Sequence, residues 1–158
     1  MDTALNIRSN LAARRDSIMS SIENNKLYYS QYDWSQGGAE WSHYWGGLGS
    51  MWKATLLPRI RRFLPARRIL EIGAGCGRVS SKLQPLASER LWLTDIIPHC
   101  VNSCRGLFRY DPKVITLLTD GQSLDGIDDD SVDLVVSFYS LVDSDTVTLR
   151  AYLVELQR

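Results

Sequence analysis

The chain has no excess of either charge, with 18 Lys and Arg against 18 Asp and Glu in 158 residues. That balance argues against a polyanion-binding tail. No stretch approaches the roughly 20 apolar residues that a membrane span requires. The N-terminal MDTALNIRSNLAARRDS also lacks an unbroken apolar core of signal-peptide length. A cytoplasmic protein with no membrane partner is expected. Cysteine is scarce. Cys76, Cys100 and Cys104 are odd in number and lack the paired C-x-x-C spacing of a zinc site or dithiol switch, so free buried or half-buried thiols and no metal are expected. No internal repeat or low-complexity tract is present, and the short acidic run 128–130 reads as a solvated turn.

What is present is ordinary globular material of about one domain's length, 44% hydrophobic and 23% charged. Leu5, Leu11, Ile18 and Ile22 give residues 5–24 a helix-like spacing that stops near ENN. The stretch YYSQYDWSQGGAEWSHYWGGLGSMW then gathers four of the five tryptophans and four of the seven tyrosines between Gly-Gly pairs, which does not read as a linker. Residues 48–64 return to helical spacing, with Pro58 either kinking one helix or opening a second. Arg59, Arg61, Arg62, Arg67 and Arg68 read as a solvated face, and nucleic acid is not an expected partner.

Beyond residue 66 the rhythm changes to RRILEIG (67–73), LWLTD (91–95), KVITLLTD (113–120) and VDLVVSF (132–138). Helical stretches at about 78–86, 98–109 and 145–157 alternate with them. The last would place Val147, Tyr152, Leu153 and Leu156 on one face behind a cap at Ser144 or Asp145. This alternation predicts an α/β fold with a parallel sheet covered on both faces. Residues 1–66 would form helices and an aromatic lid, and residues 67–158 the core.

The turn after the first predicted strand is EIGAGCGRVSSKL. A dinucleotide loop needs G-x-G-x-x-G and a P-loop needs G-x-x-x-x-G-K-[ST]. Here the glycines are Gly73, Gly75 and Gly77, and Arg78 stands where the dinucleotide pattern would close. Glu71 at the strand end would repel a phosphate. A ligand with a cationic group beside the loop fits better. S-adenosylmethionine offers an ammonium for carboxylates, a carboxylate for backbone N–H groups, a ribose and an adenine, and it has no phosphate.

ILEIGAGCG resembles the first motif of the class I S-adenosylmethionine-dependent methyltransferases. That resemblance implies a Rossmann-like doubly wound sheet of strand order 3-2-1-4 and S-adenosylmethionine as cofactor. Gly73 and Gly75, with Ala74 and Gly77, would let the backbone lie against the methionine and ribose. Asp95, 24 positions after Glu71 and followed by Ile96, would grip the ribose hydroxyls. Asp120 and Gly121 would meet the adenine, and Ser137 in DLVVSFYSLV would line the cofactor and acceptor pocket.

The aromatic segment and VSFYSLVD extend the resemblance over about residues 28–157, to a subgroup that modifies small molecules or glycans. Trp41, Tyr44 and Trp45 would shield the sulfonium, with cation–π attraction as a physical reason. Candidate bases are His43, Tyr139 and Asp143. The related pattern has Asp and His where this chain has Tyr139 and Asp143, so the acid–base pair is altered. His99 reads as a helix-start surface residue. A full enzyme of the family would continue with three more strands. The edge of the fourth strand is therefore expected to be covered by those strands or by a second copy of the chain. A non-catalytic cofactor-binding module is the other reading, and an NAD-dependent oxidoreductase lacks the required glycine spacing.

Overall fold

The computed structural model describes residues 21–158. Most of the helix expected over 5–24 therefore lies outside the described residues. Where ENN was expected to end it, a helix begins. Ser21 caps α1 (Ile22–Ser30), its Oγ accepting from the Asn24 N–H at 3.3 Å. A serine cap satisfies a first-turn donor and offsets the weak helix preference of the two asparagines. Two 3₁₀ turns, Trp34–Gln36 and Ala39–Trp45, follow, bounded by Gly37, Gly38 and Gly46 in left-handed backbone.

The next helical stretch runs as α2 (Leu48–Met51), a π turn (Trp52–Leu56) and α3 (Leu57–Ile60). Pro58 lies in the first turn of α3, where its missing N–H costs least, and the wider π turn absorbs the change just before it. Of the two readings of Pro58, it opens a second helical segment.

All four expected strands form: β1 (Ala66–Ile72), β2 (Ala87–Asp95), β3 (Val114–Leu118) and β4 (Leu134–Ser137). They make one parallel sheet in the order β3-β2-β1-β4, as the resemblance implied. In β1, Ile69 pairs with Leu91 and Leu134, and Glu71 pairs with Leu93 and Val136. Crossovers are α4 (Ser80–Leu83) with a 3₁₀ turn (Gln84–Leu86), α5 (Pro98–Leu107) and a route from β3 to β4 without a regular helix. The chain after β4 forms α6 (Thr146–Glu155), capped by Asp145, whose Oδ1 accepts from the Thr148 N–H at 2.8 Å.

The period-2 alternation of β1 feeds two cores. Ile69, Leu91, Leu93 and Val136 pack with Met51, Leu56, Val79, Leu83 and Cys104 on one face, while Leu70, Ile72 and Trp92 pack with Leu124, Ile127 and Tyr152 on the other. Ile69, Leu70 and Leu91 have no exposed surface, and each such side chain contributes about 1.5–3 kcal/mol on burial. The inward face of α6 is Thr148 and Tyr152, while Val147 and Leu153 point outward. This corrects the expected apolar face: the helix is set by its cap and its tyrosine. Among the described residues β4 pairs only with β1. No described helix is long and apolar enough to cross a membrane.

Cys100 and Cys104 are buried and Cys76 half-buried, all free thiols. Arg67 pairs with Glu89 at 2.6 Å and Arg68 with Asp133 at 3.0 Å, so these members of the arginine group hold neighbouring strand ends at the surface.

Candidate functional site

In an open parallel sheet, ligands bind outside the carboxyl ends of the strands, where the order reverses. Here that place lies beyond β1, with β2 on one side and β4 on the other. The turn leaving β1 is tied to the end of β2. The Gly73 and Ala74 N–H groups both donate to the Thr94 carbonyl, at 2.8 and 3.0 Å. Asp95 accepts from the Gly75 N–H at 2.8 Å and from the Ile97 N–H at 2.9 Å.

The glycines of this turn do three different jobs. A Cβ on Gly73 would sit 2.1 Å from the Ser140 Cβ, so its bareness admits the chain that leaves β4. A Cβ on Gly77 would meet Leu107 at 2.8 Å, so there α5 packs against the loop. At Gly75 the nearest atom would be a Trp34 ring carbon at 3.7 Å. Gly75 therefore combines left-handed backbone, φ +56, with no more than an ordinary contact where a Cβ would stand.

A cavity of about 680 Å³, counted together with its open mouth, lies at this place. Gly73, Gly75, Asp95, Ile96, Gly121 and Tyr139 all line it. A smaller recess of about 320 Å³ shares Gly73, Gly75, Trp34, Trp41 and Tyr139 with it and adds Glu71, Ala74, Cys76 and Arg78. Glu71 is buried and accepts from Ser80 Oγ at 2.5 Å. Its burial pushes the carboxyl up to about 8 despite that bond and the nearby Arg78 charge. Burial also raises Asp95, against the lowering effect of the N–H groups it accepts from. Tyr139 has φ +61, uncommon for a bulky side chain and characteristic of functional turns.

Other expected residues lie elsewhere. Gly77 serves packing. Asp120 is exposed and accepts from the Gln122 and Ser123 N–H groups at 2.8 and 2.7 Å, folding its own turn instead of lining the cavity. Ser137 is exposed, with its Oγ 2.5 Å from that of Ser140. His43 is exposed on its 3₁₀ turn, Tyr44 is 82% exposed, and Trp45 packs against the core instead of the cavity. Asp143 accepts from the Tyr29 hydroxyl at 3.5 Å and is not part of the lining. Among the described residues no group of three or more His, Cys, Asp or Glu could hold a metal ion.

Sequence reasoning missed part of the wall. Ile22, Asn25 and Tyr29 face the cavity from α1, and Ser144, Thr148 and Tyr152 face it from the other side. Both sets have helical spacing, at i, i+3, i+7 and i, i+4, i+8, a signal open to a reader who extends α1 beyond ENN. Trp34 joins Trp41 in an edge-to-face pair with centroids 5.5 Å apart, and both border the cavity.

Residues 69–158 match the family model described as methyltransferase domain. No curated protein matches the chain. One similar solved structure is phosphoethanolamine N-methyltransferase 1 from Haemonchus contortus, in complex with phosphoethanolamine and S-adenosylhomocysteine. It is 20% identical with a TM-score of 0.66, and the match covers 92% of this chain and 29% of that one. Another is a putative S-adenosyl-L-methionine-dependent methyltransferase from Methanococcus maripaludis, 20% identical with a TM-score of 0.52, covering 65% of this chain and 52% of that one. The chain thus spans 29% and 52% of the lengths of these two structures.

Proposed function

The chain belongs to the methyltransferase domain family, with S-adenosylmethionine as cofactor, and on that premise we propose that it moves a methyl group to an oxygen or nitrogen of a small molecule or glycan. The observation that carries this reading is one cavity beyond the strand ends, bounded by Gly73, Gly75 and Asp95 and faced by Trp34, Trp41 and Tyr139. The cofactor supplies an electrophilic methyl group whose departure leaves a neutral thioether.

The protein's part is mainly positioning and exclusion of water. Each Asp95 oxygen accepts one backbone N–H and keeps a lone pair for a ribose hydroxyl. Ile22, Ile96 and Gly121 all line the cavity, and their packed apolar surface suits one face of the adenine. A Cβ at Gly121 would lie 3.1 Å from side-chain atoms of both isoleucines. With Asp120 turned to its own loop, this apolar surface is left to meet the adenine in its place.

Among the candidate bases, Tyr139 is the one that lines the cavity, and we assign it the contact with the acceptor. A small-molecule acceptor is in keeping with the phosphoethanolamine bound to the Haemonchus protein. The engagement of Asp143 by Tyr29 and the exposure of His43 favour a second reading, a binding module without turnover. Isothermal titration with S-adenosylmethionine, followed by transfer of a labelled methyl group across amine, hydroxyl and glycan acceptors, separates the two. Binding with transfer is expected. Binding without transfer supports the module, and no binding overturns both.

A further inference from the structure

Three features of the larger cavity bear on what receives the methyl group. The first is a fixed aromatic wall beside the glycine turn. Two Trp34 ring carbons lie 3.7 and 3.9 Å from where a Gly75 Cβ would stand, so the indole borders the turn itself. Its Nε1–H donates to the Tyr29 carbonyl at 2.9 Å. Tyr32 and Trp41 meet it edge-to-face, with centroids 4.9 and 5.5 Å away, and the Tyr32 hydroxyl donates in turn to Glu40. Rings locked in this way offer a flat ligand ring its contact area with little further loss of side-chain freedom.

The second feature is charge. Among the described residues no Lys, Arg or His lines the larger cavity, and its one acid is Asp95. The smaller recess adds Arg78 and Glu71, both tied into the protein: Arg78 donates to Ser42 Oγ and Met51 Sδ, and Glu71 accepts from Ser80 Oγ. A phosphate or carboxylate taken into the larger cavity would lose its water and gain no cation in the lining.

The third is the want of a strong base. His43 is exposed, Asp143 lies outside the lining, and Asp95 already accepts from two N–H groups. Tyr139 remains, a poor base at neutral pH. An aliphatic amine, with a pKa of about 10.4 like lysine's, would arrive as a cation with no free electron pair, facing the sulfonium charge. A sugar hydroxyl has the pair but holds its proton tightly. A hydroxyl on an aromatic ring, at about 10 like tyrosine's, has the pair and gives up its proton far more readily.

Taking the S-adenosylmethionine reading as its basis, we infer that the acceptor is an uncharged aromatic ring bearing a hydroxyl group, packed against Trp34 and Trp41 with that hydroxyl toward Tyr139. The hydroxyl oxygen bonds to the methyl carbon as the carbon–sulfur bond breaks. The electron pair of that bond stays on sulfur, and the hydroxyl proton passes to water. The aromatic segment upstream of β1 is then the part of the chain that selects the acceptor.

The test saturates the chain with S-adenosylhomocysteine and titrates it with catechol, protocatechuate, phosphoethanolamine and methyl glucoside by calorimetry, then measures labelled methyl transfer to each. Catechol is expected to bind at least about 10-fold more tightly than the other three and to be the one methylated. Protocatechuate is the same ring with a carboxylate, so its ratio to catechol reads the charge argument without any variant. Asn25→Lys, which adds a cation to the cavity wall, should shrink that ratio. Trp34→Leu should weaken catechol by about 2- to 12-fold, the range of an aromatic pair. Where Trp34→Leu no longer binds S-adenosylhomocysteine, the ratios in the unaltered chain decide. Equal binding of catechol and protocatechuate, no binding of catechol, or a preference for phosphoethanolamine or the glucoside overturns the inference. An unaltered chain that binds no S-adenosylhomocysteine fails at the cofactor reading instead.

Discussion

Replacing Gly73 by alanine tests whether the bare position serves the protein or the ligand. The new Cβ would stand 2.1 Å from the Ser140 Cβ and 2.6 Å from its Oγ, where carbon atoms normally keep about 3.5–4.0 Å. Ser140 cannot simply rotate away, because its Oγ donates to the Ile72 carbonyl at 2.8 Å and meets Ser137 Oγ at 2.5 Å. Left-handed backbone at φ +73 adds about 1–2 kcal/mol for a residue with a Cβ. Overpacking adds about 1–3 kcal/mol. A displaced Ser140 hydrogen bond adds about 1 kcal/mol more. Gly73→Ala should therefore lose about 3–6 kcal/mol, read as a shift of the urea midpoint by tryptophan fluorescence. In a Ser140→Gly background the nearest remaining Ser140 atom is the Cα at 3.6 Å, an ordinary contact. There the same change should cost only the backbone part, about 1–2 kcal/mol. An equal cost in both backgrounds, or a loss below about 1 kcal/mol in the unaltered one, refutes the packing argument.

Asp95→Ala removes the acceptor for two N–H groups, so it should lose about 1–3 kcal/mol of stability and abolish cofactor binding; urea unfolding and calorimetry read the two effects separately. Glu71 is raised to about 8 by burial, so between pH 4.5 and 8 the unfolded chain ionises this carboxyl while the folded one keeps its proton. Its contribution to stability therefore falls as pH rises through that window, and Glu71→Gln should flatten the pH dependence of the urea midpoint there. Tyr139→Asn, a residue that tolerates left-handed backbone, should change stability by less than about 1 kcal/mol while lowering methyl transfer. Unchanged transfer rates would remove Tyr139 from the acceptor contact.

Much of the fold was legible because it is local. Short β-rich runs separated by helical spacing form β1 to β4, and the G-x-G-x-G turn with Asp95 at the end of β2 marks one corner of the cavity. These features depend on neighbours in sequence, on strand period and on which residues tolerate left-handed backbone. Composition likewise led to free thiols, which the structure shows half-buried or buried.

What the sequence could not sort was residues of one type that tertiary contacts send to different places. Trp34 and Trp41 border the cavity while Trp45 packs into the core, although all three lie in one aromatic stretch. Asp95 and Asp120 both end strand runs, yet one carboxylate is buried against the glycine turn and the other folds an exposed loop. The glycine turn after β1 was thus determined by sequence alone, because spacing and backbone freedom are properties of a few consecutive residues. The walls of the site were decided only by the tertiary structure. Ile22, Tyr29, Arg78 and Tyr152 come from segments distant in the chain, and packing across the carboxyl ends of the sheet brings them together.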